Sequence, residues 1–279
     1  MKKKRLNLFD ALIEEPKSII RSSYLYLKYR NLLKKNNDLK KYKSNRVFII
    51  GNGPSVNDID IKYLKDEDII VMNKFYNHEY SSELFSGRGS KFYLSPPLHP
   101  PHDLNYWLDH TRKIKKCITS DSILLLGLSQ YKNNFQFIDH FNGNDYKNKF
   151  YFLPSGSRFI EYGFLSKFFL NLKYPIISAG TASVYALLFA LFINYDEIYL
   201  IGVDHSHILG KFGKLNNHFY DFKENHIELA SNEMQLYLQS NTLFQYKYLA
   251  SCYSNPKIFN CSKLSIVDFF PSRDFRSLF

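Results

Sequence analysis

RVFIIGNGPSVNDID, residues 46–60, decides the fold: four apolar residues, Val47 to Ile50, run into Gly51-Asn52-Gly53-Pro54-Ser55 and then into a polar, helix-like segment. A short apolar run closed by a turn is how a strand buried on both faces reads. Glycines allow positive φ and close approach of a ligand, and N–H groups left free in such a turn can hold phosphate oxygens. The stretch is not the dinucleotide fingerprint, because the third glycine is missing and Pro54 removes a donor. Nor is it a Walker loop, which needs Gly-Lys-Ser/Thr. Plain turn geometry would use the same glycines. Asn52 between them adds a side-chain amide that both donates and accepts beyond the strand end.

Outward from this stretch the chain alternates. VFIIG (47–51), DIIVMN (68–73), KFYLS (91–95), SILLLGL (122–128), KFYFL (149–153), EIYLIG (197–202) and KIFNCS (257–262) are strand-like, and helical stretches fall at 157–171, 180–194 and 228–250. Such alternation predicts an α/β fold, a doubly wound, mostly parallel sheet with helices on both faces. Residues 1–45 form a basic arm with helical character, and 46–279 form one nucleotide-binding-type domain. Segments 96–106 and 203–227 are long for connections in such a domain, which points to function.

Ligands of open parallel sheets sit beyond the carboxyl ends of the strands, so the residues just after each strand are the informative ones. The second strand ends at Asn73, which could cap a turn or converge with Asn52 on one crevice. Ser178 to Ser183 open the apolar helix SVYALLFALFI, whose N-terminus suits an anion, although Ser178 or Thr181 could simply cap it. The next strand ends in Gly202-Val203-Asp204. Asp204 could bind ribose or a base edge, hold a metal, or cap the turn. His205 and His207 lie on one side if extended, yet have no nearby Cys or Glu to complete a metal set. His218 and His226 follow in the long loop, where a histidine near neutral pKa is the usual base for an alcohol, or a solvated side chain.

The formal charge of +11 is concentrated: residues 1–46 hold 14 Lys/Arg and 4 Asp/Glu, leaving 23 basic and 22 acidic residues beyond. A basic face for nucleic acid is therefore not expected on the domain. Residues 17–43 have the apolar spacing of an amphipathic helix that could lie on an anionic membrane surface, pack on the domain, or meet its copy in an oligomer. No run reaches the ~18 apolar residues of a membrane span, and Asp10, Glu14 and Glu15 interrupt any signal-peptide core. Three cysteines without paired spacing (Cys117, Cys252, Cys261) read as buried thiols of a reducing compartment. A cytoplasmic protein, peripheral to the inner membrane face, is expected.

In order and spacing, FIIGNGPSV, VMNKFY and TASVYALLFALFINYDEIYLIGVDHS resemble the bacterial sialyltransferases of glycosyltransferase family 42, which act on lipooligosaccharide, and the wider Gly-x-Gly-Pro-Ser glycosyltransferase-like group. The likeness spans about 46–76 and 178–206, loosely 226–265, and not the arm. It implies a GT-A-like fold with a mobile lid at about 203–227, a CMP-linked nonulosonic acid donor, a glycan acceptor, and inverting, metal-independent transfer without a cofactor. It places Gly51, Asn52, Gly53, Ser55, Asn73, Ser95, Thr181, Ala182, Ser183, Gly202 and Asp204 at the donor, with His226 as base, His218 second, and Tyr220, Lys211 or Lys214 at the leaving phosphate. Two departures stand out: Ser95 where that family has an asparagine, and Ser206 where it has one of two phosphate-binding tyrosines. Two other classes share features with the chain: an ATP- and Mg²⁺-dependent pyrophosphokinase of the pterin diphosphokinase type, and a non-catalytic assembly protein whose working part is the arm.

Overall fold

The computed structural model describes residues 8–98, 103–129, 139, 141, 146–155, 170–205, 218–219, 232–253, 257–263 and 265–279. Most of the predicted helix at 157–171 and most of the predicted lid lie outside them.

All seven predicted strands are present: β1 Arg46–Ile50, β2 Asp68–Met72, β3 Lys91–Ser95, β4 Ile123–Gly127, β5 Asn148–Phe152, β6 Glu197–Ile201 and β7 Lys257–Asn260. They form one sheet in the order β5-β4-β3-β2-β1-β6-β7, and every pairing is parallel. The chain starts in the middle, winds outward to β5, and returns to β6 on the other side of β1. The strand order therefore reverses between β1 and β6, which is where an open parallel sheet opens a crevice.

Alternation along β1 divides the core. Val47 and Ile49 face the layer built by helices α4 (Ala182–Ile193) and α5 (Asn232–Cys252). Phe48 and Ile50 face the layer containing α2 (Ser81–Phe85) and α3 (Leu104–Cys117). Helix α4 is apolar nearly all round because it is buried nearly all round, and it stops at Asn194, a left-handed residue (φ 71°) whose N–H returns to Ala190 and Leu191. Cys117 and Cys261 are buried free thiols, and burial pushes both up to about 12.

The N-terminal segment is integral to this architecture. Helix α1 (Leu8–Lys34) buries Tyr29 and Leu33 with the Phe48 side of the core, and the following 3-10 turns bury Leu39 with the Val47 side. Between them the chain passes the open edge of β5. There the fully buried Asn36 donates through Nδ2 to Tyr151 O (2.7 Å) and Leu172 O (2.6 Å), and its Oδ1 faces the Tyr151 N–H at 3.4 Å. One side-chain amide thus meets both outward main-chain groups of Tyr151, as another strand would, and closes an edge that would otherwise be open for pairing.

Candidate functional site

At the β1/β6 switch the two strand-end loops are locked together. Gly51 N–H donates to Ile201 O (2.7 Å) and Gly53 N–H to Gly202 O (2.8 Å). Asp204, buried at the end of β6, accepts from Ser55 N–H at Oδ2 (2.9 Å) and from Ser55 Oγ at Oδ1 (2.5 Å). A Cβ at Gly51 would lie 2.3 Å from Gly202 O, and one at Gly53 would lie 2.3 Å from Asp204 Oδ2. The glycines are therefore required by loop-on-loop contact. The expectation that their amides stand free for phosphate is not met, because they are spent on the Ile201 and Gly202 carbonyls and that of Ser55 on Asp204.

What this lock leaves exposed to a ligand is Asn52. Its side chain is buried, its Oδ1 has no hydrogen-bond partner among the described residues, and it lines the crevice. A buried acceptor without a donor is costly unless something supplies one. Asn73 lines the same crevice from beyond the neighbouring β2, in the left-handed conformation that asparagine tolerates (φ 54°), with its carbonyl accepting from Tyr93 Oη at 2.6 Å. The crevice has a volume of about 710 Å³ and is also lined by Gly202, Asp204, Thr181, Ala182 and Ser183. That size suits a nucleotide-sized ligand.

Ser55 and Ser95 were expected at the donor but do not line the crevice. Both are buried, Ser55 being held by Asp204. His218 does line it: Phe219 N–H donates to Asn52 O (3.1 Å), and the Phe219 ring packs on Phe75 and His78. His226, Tyr220, Lys211, Lys214, Ser206 and His207 lie outside the described residues. Among the described residues no group of three His, Cys, Asp or Glu is placed to hold a metal.

Two contributions to the crevice were not anticipated. Helix α5 does not line it but holds segments that do: Gln245 Nε2 donates to Ser178 O (2.8 Å), its Oε1 accepts from Gly180 N–H (3.2 Å), and Gln239 donates to the His205 carbonyl. Tyr246 Oη meets His205 Nε2 at 3.0 Å beside the Thr181 and Ser183 hydroxyls, which meet each other at 2.9 Å, while burial pushes its phenol pKa well up. This neutral phenol fixes His205, itself at φ 52°, against the start of α4. The only sequence signal was three polar residues on an otherwise mixed helix. The second contribution is a wall, built by α1 through Ser18, Arg21, Ser22 and Leu25, with Ser22 Oγ donating to Ser155 O beyond β5. Packing on the domain was one of the readings of the arm, but nothing in its composition singled out these four residues.

No protein-family model matches the chain, and no curated protein sequence matches it. Solved structures are similar to it. One is the sialyltransferase CstII from Campylobacter jejuni with the substrate analogue CMP-3FNeuAc: 21% identity, 82% of this chain and 86% of that one covered, TM-score 0.45. A second is the same enzyme with cytidine-5'-monophosphate, at 22% identity, 82% and 85% coverage and TM-score 0.45. A third is a point variant of that sialyltransferase with CMP, at 20% identity, 81% and 85% coverage and TM-score 0.46.

Proposed function

We propose that the protein is a glycosyltransferase that moves sialic acid or a related nonulosonic acid from its CMP-linked donor to a hydroxyl of a cell-surface glycan, lipooligosaccharide or capsule, with inversion. The observation that carries this reading is the convergence of Asn52, Asn73, Ser183 and His218 on one crevice at the switch point, with the Asn52 Oδ1 buried and awaiting a donor. Cytosine carries an exocyclic amine and ribose two hydroxyls, all of them donors that such an oxygen accepts from.

The chemistry asks for few parts. The acceptor hydroxyl oxygen bonds to the anomeric C2 of the donor sugar, and the C2–O bond to phosphate breaks. CMP departs with that electron pair, and the hydroxyl proton passes to a base. We assign the base to His226, with His218 as the second candidate because it stands at the crevice. We assign contact with the leaving phosphate to Thr181 and Ser183, which line the crevice at the start of α4, where the helix dipole favours an anion. A phosphate monoester leaving group needs no metal clamp of the kind diphosphates use, so we propose metal- and cofactor-independent transfer.

The outer face of α1 carries Ile20, Tyr24 and Leu27, all well exposed, with the exposed Lys28 and Lys34 further along the helix. This supports a peripheral position on an anionic membrane, on the cytoplasmic side. No helix among the described residues is long and apolar enough to cross a membrane.

Thermal shift against CMP, UDP, GDP and ATP with and without Mg²⁺ tests the reading. Selective stabilisation by CMP is expected. Indifference to CMP with Mg²⁺-dependent stabilisation by ATP would overturn it in favour of a pyrophosphokinase.

A further inference from the structure

The crevice extends from the β1/β6 switch to the far end of the sheet, where Ser129, Pro154 and Ser155 line it beyond β4 and β5. That end is closed by α1. Ser22 Oγ on the Ser155 carbonyl and Asn36 on Tyr151 and Leu172 hold the helix there. With Ser22 turned to the sheet, its neighbour Arg21 and the preceding turn's Ser18 border the crevice.

Charge gives this wall its meaning. Apart from histidines, Asp204 and Arg21 are the charged side chains among the described residues that line the crevice, and the Asp204 carboxylate is engaged by Ser55. Arg21 has no carboxylate partner among the described residues. A guanidinium on a rigid helix, with an adjacent hydroxyl, presents a planar fork of donors that fits a carboxylate or phosphate. Asn52 and Asn73, proposed to meet the nucleotide, lie beyond β1 and β2, away from this end of the cavity.

We propose that Arg21, with Ser18, forms a second subsite that binds an oxyanion, carboxylate or phosphate, of the group beyond the nucleotide, so that the N-terminal helix is a specificity element of the site. This rests on the glycosyltransferase reading. The oxyanion is then either the donor sugar's own carboxylate or an acidic group on the acceptor.

The test is calorimetric titration of the full chain and of Arg21→Ala and Arg21→Lys with CMP, with CMP-3-fluoro-N-acetylneuraminic acid, and with the C1 amide of that analogue. Arg21 is exposed, so unfolding midpoints should match wild type. Equal CMP affinity in all three proteins is expected, with a loss of at least tenfold for the acid in Arg21→Ala, partly restored in Arg21→Lys, and no loss for the amide. That pattern assigns the donor carboxylate. Unchanged donor binding, with KM raised at least fivefold for an acidic acceptor and not for a neutral one, assigns the acceptor instead. No difference between Arg21→Ala and wild type with any of these would overturn the subsite. If wild type binds neither CMP nor its sugar conjugate, the glycosyltransferase reading falls, and ATP against AMP decides the subsite. A selective loss of ATP affinity in Arg21→Ala then upholds it, and equal losses or none reject it.

Discussion

Asp204 grips Ser55 twice, through main-chain N–H and side-chain hydroxyl, and so ties the loop after β6 to the loop after β1. The grip is buried and charge-assisted, so Asp204→Ala should cost about 3 kcal/mol of unfolding free energy. Asp204→Asn can still accept the N–H and donate to Oγ, and should cost about 1 kcal/mol. Urea titrations of both variants check this, and an alanine variant within about 0.5 kcal/mol of wild type would show that the loops hold without the clamp.

Asn52→Ala should separate stability from binding. Its Oδ1 is buried without a partner among the described residues, so removal relieves a desolvation cost instead of breaking a bond. The expected result is an unfolding midpoint equal to or above wild type, with nucleotide affinity lowered at least tenfold. A midpoint lowered by several degrees with affinity retained would place the residue in the scaffold.

The sheet was readable because its central strands are short apolar runs buried on both faces, a pattern that owes little to distant residues. The loop partnerships were not. That Gly51 and Gly53 are forced by Gly202 O and Asp204 depends on residues about 150 positions away. Ser55 carries the same hydroxyl whether it faces a ligand or Asp204, and only the fold shows that it faces Asp204. Asn36 sits in a run of polar and basic residues, and Arg21 on a predicted amphipathic helix whose basic side chains read equally well as solvated. Their meaning comes from β5 lying beside one and the crevice beside the other.

Asn36 makes the arm's integration measurable. Asn36→Ala leaves the Tyr151 and Leu172 carbonyls without their donor and reopens the β5 edge, so unfolding free energy should fall by about 2–4 kcal/mol. Removing residues 1–44 should yield a chain that aggregates, because Tyr29, Leu33 and Leu39 leave their partners exposed. A soluble truncated protein that retains nucleotide affinity would overturn this.

Lys91, buried at the start of β3, offers a pH test. Its Nζ donates to the carbonyls of Lys65 and Glu67 (both 2.6 Å) and Leu64 (3.3 Å), yet burial still lowers its pKa from 10.5 to about 8. A lysine depressed in the folded state gives up its proton before the unfolded chain does. Between pH 8 and about 10.5 the unfolded state therefore binds more protons, and folding stability contributed by this group rises with pH. Lys91→Met cannot titrate and leaves three carbonyls without this donor, so it should be less stable at every pH. The gap between wild type and variant should widen from pH 8 to 10, with a slope approaching about 1.4 kcal/mol per pH unit. Several buried tyrosines, Tyr195 among them, have pKa values raised by burial and weaken the fold above about pH 10, but they do so equally in both proteins and cancel in the difference. Urea unfolding at pH 7, 8, 9 and 10 measures that gap. A gap that stays constant would mean the three carbonyls hold the ammonium as firmly as water does.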